Sequence, residues 1–118
     1  MIWARSGAAI SFVAVACGAF GAHGLKNRLS PELLAVWNTG AQYMMYHGLA
    51  LFAVSYMADR APGKAVNAAG YLFLAGIALF SGSLFALALT GERRLGAITP
   101  LGGLCLLGAW ASLAFAAK

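Results

Sequence analysis

The charged residues of this chain are confined to five places. Arg5 stands near the start. Lys26, Arg28 and Glu32 form one group, Asp59, Arg60 and Lys64 a second, and Glu92, Arg93 and Arg94 a third; Lys118 is the last residue. The stretches between them, 6–25, 33–58, 65–91 and 95–117, contain no Asp, Glu, Lys or Arg. Each is long enough to cross a hydrocarbon core of ~30 Å, which takes about 20 apolar residues. A charge inside that core costs several kcal/mol, so a chain built to cross it keeps its charges at the ends of its spans.

Composition supports the same reading. Of the 118 residues 62% are hydrophobic and 9% charged, against about 25% charged in a soluble domain. A water-soluble protein this small has a large surface to cover with polar groups. These numbers predict an all-α integral membrane bundle in a single domain, inserted as a multi-pass protein and, in a bacterium, in the inner membrane. The net charge of +5 is spread over short connections and forms no basic stripe. It fits anchoring at anionic head groups rather than nucleic acid.

Local signals place the spans. Residues 1–22 resemble a signal peptide, and Ala14-Val15-Ala16-Cys17 resembles a lipobox with Ala14 where Leu is usual. The apolar stretch from Ser6 is as long as a full span, so a retained first helix over about 6–25 is expected. Ser30-Pro31-Glu32 reads as a helix start, with a capping hydroxyl, proline in the first turn and an acid beside it. The stretch from Pro31 to Ala58 is too long for one upright span. It is therefore expected to divide into an interfacial helix over about 31–39 and a second span over 41–58, bent at Asn38, Thr39 and Gly40. Ala61-Pro62-Gly63 marks a turn. The third and fourth spans are expected over 66–90 and 99–117, with Thr99 as cap and Pro100 as first residue.

Small residues at helical spacing suit close helix packing: Gly18 with Ala22, Gly108 with Ser112, and Gly82, Gly102 and Gly103. Trp3, Trp37 and Trp110 are expected at the head-group level. With four spans the Lys and Arg residues divide four to four between the two sides, so charge sets no orientation.

The distinctive polar groups are expected at one side. His23 ends the first span, Gln42, Tyr43, Tyr46 and His47 open the second, Ser81 and Ser83 lie in the same half of the third, and Thr99 starts the fourth. Imidazoles there could ligate haem or a metal, or relay protons; the plainer reading is hydrogen bonding to loops and lipid. Ser81 and Ser83 suit interhelical hydrogen bonds, with no general base spaced near them. Cys17 and Cys105 form neither a C-x-x-C pair nor a zinc-spaced set. No metal site or enzyme signature is present in the sequence: the nucleophile elbow, Walker loop, zincin helix and dinucleotide glycine loop are all missing.

Four segments in order carry a family resemblance: Gly18-Ala19-Phe20-Gly21-Ala22-His23-Gly24-Leu25, Trp37 to His47, Phe80-Ser81-Gly82-Ser83-Leu84, and Ile98-Thr99-Pro100-Leu101-Gly102-Gly103. The chain resembles the small membrane-protein family called domain of unknown function 423, or transmembrane protein 256, over nearly its whole length. The resemblance implies four membrane helices and a retained first helix, and no known reaction or catalytic residue. Relatives often have Gln after the tyrosine of the second segment; here Met44 follows Tyr43.

The leading expectation is a non-catalytic structural, assembly or accessory protein of a larger membrane complex, associating with other subunits or with itself. It carries no resident cofactor. The alternative is a binder of quinone, haem or lipid in a pocket formed by both histidines. A minimal oligomeric channel or transporter is the third.

Overall fold

Several helix ends in this protein have a local cause. The computed structural model describes residues 1–117. Among them are four α-helices, α1 (Ile2–His23), α2 (Pro31–Arg60), α3 (Lys64–Thr90) and α4 (Thr99–Ala116), and a short 3-10 helix over Arg93–Ala97. Ser30 caps α2 by accepting a hydrogen bond from the Leu33 amide at 3.2 Å, with Pro31 in the first turn. α3 ends at Gly91, whose φ of 72° is left-handed, a conformation glycine adopts without a Cβ penalty. The 3-10 helix starts at Glu92, whose carboxylate accepts from the Arg94 amide.

α2 does not divide. It runs unbroken for 30 residues, about 45 Å at the α-helical rise, and spans most of the molecule's 47 Å length. The expected bend at Asn38, Thr39 and Gly40, and the separate helix before it, are not present. Asn38, Thr39 and Gly40 suggest a break, but Thr39 and Gly40 each have a helical use. The Thr39 hydroxyl donates back to the Ala35 carbonyl one turn earlier, at 3.0 Å. Gly40 makes room for a neighbour, because a Cβ there would stand 2.8 Å from the Phe85 ring.

Three of the four helical segments are long and apolar enough to cross a membrane: Ile2–His23, Lys64–Thr90 and Arg93–Ala116. The helices alternate in direction. α2 and α3 form the centre, α1 packs on α2, α4 packs on α3, and α2 and α4 barely touch. The result is a flattened body, 26 Å by 17 Å in cross-section.

The main core is where Leu51, Val54, Val66, Phe73 and Ile77 of the central pair meet Trp3 from α1 and Leu106 from α4. A smaller cluster of Leu25, Trp37 and Ala88 closes the end nearest the α1–α2 connection. Trp3 and Trp37 therefore do not sit as exposed anchors. Trp3 is buried on Gly70, with its ring edge to Tyr71 at 5.0 Å. Trp37 is buried against Gly21 and donates from Nε1 to the Cys17 carbonyl at 2.8 Å.

Packing between helices inside lipid rests on close van der Waals contact rather than on expulsion of water. The glycines that provide it only partly match those singled out in the sequence. Gly102 lies directly on the backbone of Phe80, and Gly108 makes ordinary contact with Leu72. Gly103 reaches the Phe80 ring only at 4.0 Å, and Ser112 is partly buried. Gly18 and Gly82 have nothing within 4 Å of where a Cβ would stand, and Ala22 is exposed, so these three do not pack against another helix of this chain. The close approaches instead use Gly7, Gly21 and Gly48 between α1 and α2, and Gly76 between α3 and α4.

Candidate functional site

Depth in the bundle decides which polar residues can form a site. Gly48 packs against Ile10 and Ser11, near the middle of α1. His47 therefore lies at mid-depth rather than near one end. That follows from α2 beginning at Pro31. His23 stands at the last residue of α1, exposed, and roughly 18 Å further along the axis by rise per residue. The structure does not bring the two histidines together, and the expected two-histidine pocket is absent.

The other sequence candidates separate into two kinds. Ser81, Ser83 and Thr99 hold helices together. The buried Ser81 hydroxyl donates to the Gly40 carbonyl at 2.7 Å, joining α3 to α2. Ser83 donates to the Phe80 carbonyl at 3.0 Å and pairs with the Thr99 hydroxyl at 2.6 Å, joining α3 to α4. Thr99 makes no cap hydrogen bond; its hydroxyl is engaged with Ser83. Gln42 and Tyr46 are exposed on α2. Tyr43 and His47, one turn apart, stay together as the spacing predicts.

His47 is 6% exposed. Its Nδ1 lies 2.7 Å from the Tyr43 carbonyl oxygen. A carbonyl only accepts, so Nδ1 carries the proton and donates. Nε2 makes no hydrogen bond among the described residues. Aromatic rings surround the imidazole: Tyr43 stacks at 5.9 Å, Phe73 is 5.8 Å away, and Trp110 presents an edge at 6.0 Å. Phe80 stacks on Tyr43 at 4.5 Å, and Trp110 meets Phe73 edge-on at 5.0 Å.

These rings line a cavity of about 560 Å³ between α2 and α4. Tyr43 and His47 form one wall and Phe80 the floor. Pro100, Gly103, Leu104, Leu107 and Trp110 form the other wall. No Asp, Glu, Lys or Arg lines it. It exists because α2 and α4 scarcely meet, so α3 floors a cleft open to the side. Such a volume is typical of a small-molecule site, where a few polar groups orient an apolar ligand. Sequence reasoning singled out Tyr43 and His47. It missed Phe80, Trp110 and the α4 leucines, because nothing in their spacing marks the side that faces α2.

Cys17 and Cys105 are free thiols. No group of three or more His, Cys, Asp or Glu is placed to hold a metal among the described residues. At the connection end, Arg93 of the 3-10 helix meets Glu32 of α2 at 3.4 Å, both well exposed.

An all-helical body with three segments long and apolar enough to cross a membrane, and an aromatic cleft without Asp, Glu, Lys or Arg, fits a small multi-pass membrane protein. The chain belongs to the family described as protein of unknown function DUF423, whose model matches residues 17–103. It is 50% identical to the UPF0382 membrane protein YwdK of Bacillus subtilis over 112 residues, covering 94% of this chain and 91% of that one. It is 48% identical to the UPF0382 membrane protein SSP2132 of Staphylococcus saprophyticus over 107 residues, covering 91% and 88%. No solved structure matches it.

Proposed function

We propose that this protein is a non-catalytic, four-span membrane module whose mid-depth cleft takes up a small apolar ligand from the bilayer. In this reading α2 is the fourth span. Its charges, Glu32, Asp59 and Arg60, stand at its two ends, and residues 33–58 between them carry none. It also lies antiparallel between two crossing helices, α1 and α3.

The observation that carries the ligand is His47. A buried ring at mid-depth has one nitrogen bonded to its own helix and the other free, beside an apolar cavity. An intramembrane ionisable residue is a pointer to function, because hydrocarbon penalises it. Hydrocarbon offers a free ring nitrogen no hydrogen bond, and a ligand bonded to Nε2 would supply one, worth about 1–3 kcal/mol where no water competes. The hydroxyls that a minimal channel would need along a path are engaged between helices at Ser81, Ser83 and Thr99.

Native mass spectrometry of the protein released gently from membranes tests this reading. Wild type is expected to retain a small molecule in fixed stoichiometry, and Leu107→Trp, which fills the cleft, to lose it. An unliganded mass for wild type would sink the proposal.

A second reading, an accessory subunit of a membrane complex, is favoured by the outer face of α1. Phe12 and Val15 are exposed there beside a groove of about 410 Å³ that Ala8, Ser11 and Ala16 help to line, and Gly18 has no neighbour. Small residues of this kind let another helix approach closely. The same spectrum would carry the partner's mass.

A further inference from the structure

We infer that the cleft selects a ring-bearing bilayer molecule with a free hydroxyl, a quinol or phenol head group that donates its hydrogen bond to Nε2 of His47. This rests on the reading of the cleft as a ligand site. It adds which chemical form of ligand the site takes.

The tautomer supplies the selection. The single N–H of a neutral imidazole is committed to the Tyr43 carbonyl at 2.7 Å, leaving a bare lone pair at Nε2. A ligand offering only a carbonyl or ether oxygen meets that lone pair with another. A hydroxyl brings the proton the pair lacks. The ligand's hydroxyl meets the ring nitrogen of His47 that has no hydrogen-bond partner among the described residues, in a side chain that lines the cleft.

The walls select for a flat ring. Phe80 and Tyr43 are stacked at 4.5 Å, while Trp110 turns its edge toward His47 at 6.0 Å. Aromatic faces and edges of this kind favour a further ring over a branched chain. The absence of charged lining disfavours phosphate or ammonium head groups, whose desolvation nothing there would offset. The cleft's volume of about 560 Å³ accommodates a one- or two-ring head. An apolar tail leaves where α2 and α4 part, directly into lipid.

The test uses the full-length protein in lipid nanodiscs and a matched pair of probes, 2-methyl-1-naphthol and its methyl ether. Equilibrium dialysis against protein-free discs separates binding from partition into lipid. Wild type is expected to hold the naphthol about tenfold more tightly than the ether, the size of one hydrogen bond made against one left unmade. His47→Phe keeps an aromatic ring in the wall and is expected to hold both probes equally. Equal binding of the two probes by wild type overturns the hydroxyl selection and leaves the cleft as a ligand site. Failure of both to exceed the protein-free discs overturns the cleft reading, and this inference with it. A haem absorption band in the purified protein that His47→Phe abolishes also overturns the inference, because Nε2 would then be an iron ligand.

Discussion

The seam between α1 and α2 and the gap between α2 and α4 are opposite solutions on the two sides of one helix. At the seam α2 presents Gly48 to Ser11 of α1, and α1 presents Gly7 to the Gly48 carbonyl; a Cβ at either would come within 2.8 Å of its neighbour. One residue away, α2 presents His47 and, a turn earlier, Tyr43, and α4 opposite them stays apart. A helix can therefore be closed on one face and open on another within a single turn. Which it is depends on whether glycine or an aromatic ring stands at the contact. The buried imidazole is tolerated on the open side because the rings hold α4 away and leave a space beside it.

The largest test of this contrast is to overfill both sides. Gly48→Val or Gly7→Val should destabilise the protein by about 1–3 kcal/mol, the usual cost of overpacking. Gly103→Ala on the cleft wall, where the nearest atom is 4.0 Å away, should change stability by less than about 0.5 kcal/mol. Thermal unfolding in detergent reads both. Equal losses at the seam and at the cleft wall would mean that the cleft wall is packed as tightly as the seam.

A smaller effect is expected from the polar ties. Ser81→Ala removes the bond to the Gly40 carbonyl with little change in volume. It should cost about 0.6 kcal/mol, typical of interhelical hydrogen bonds within membranes. A loss of several kcal/mol would show that polar ties, rather than glycine contacts, hold α2 in place.

The smallest effect lies outside the bundle. Side-chain hydrogen bonds from Arg94 to the Glu92 carboxylate, at 3.1 and 3.2 Å, and then the Arg94 amide, hold the Glu92 pKa below the usual carboxylate range. An acid with a depressed pKa contributes stability above its unfolded value and loses it as pH falls through the folded one. Acidification below the usual carboxylate range should therefore loosen the 93–97 turn slightly, since Glu92 is solvent-exposed and screened. A carbon chemical-shift titration of Glu92 should show the depressed value in wild type and a higher one in Arg94→Ala, which keeps only the amide bond. An unchanged titration in the variant would count against the pairing.

Much of the fold was legible in residue order. Charges marked the helix ends, and Ser30-Pro31 opened α2. The misreadings came from residues whose chemistry is ambiguous along a line. Asn38-Thr39-Gly40 looks like a bend, yet it becomes uninterrupted helix once Thr39 bonds its own backbone and Phe85 fills the space beside Gly40. That error moved His47 from mid-depth to one end and joined it to His23 in a pocket that does not exist. Gly18 and Gly82 were singled out as packing positions alongside Gly102 and Gly108, and nothing in the sequence says which of them has a neighbour.

By itself the sequence determined that hydrocarbon must surround most of this chain, because ionic side chains are too costly there and it keeps them out of stretches long enough to cross. Only the tertiary arrangement decided that His47 would face a space and Ser81 a backbone oxygen. Whether a buried polar atom has a partner is a matter of what the neighbouring helix places within 3 Å of it, and periodicity along one helix does not specify the rotation or separation of the next.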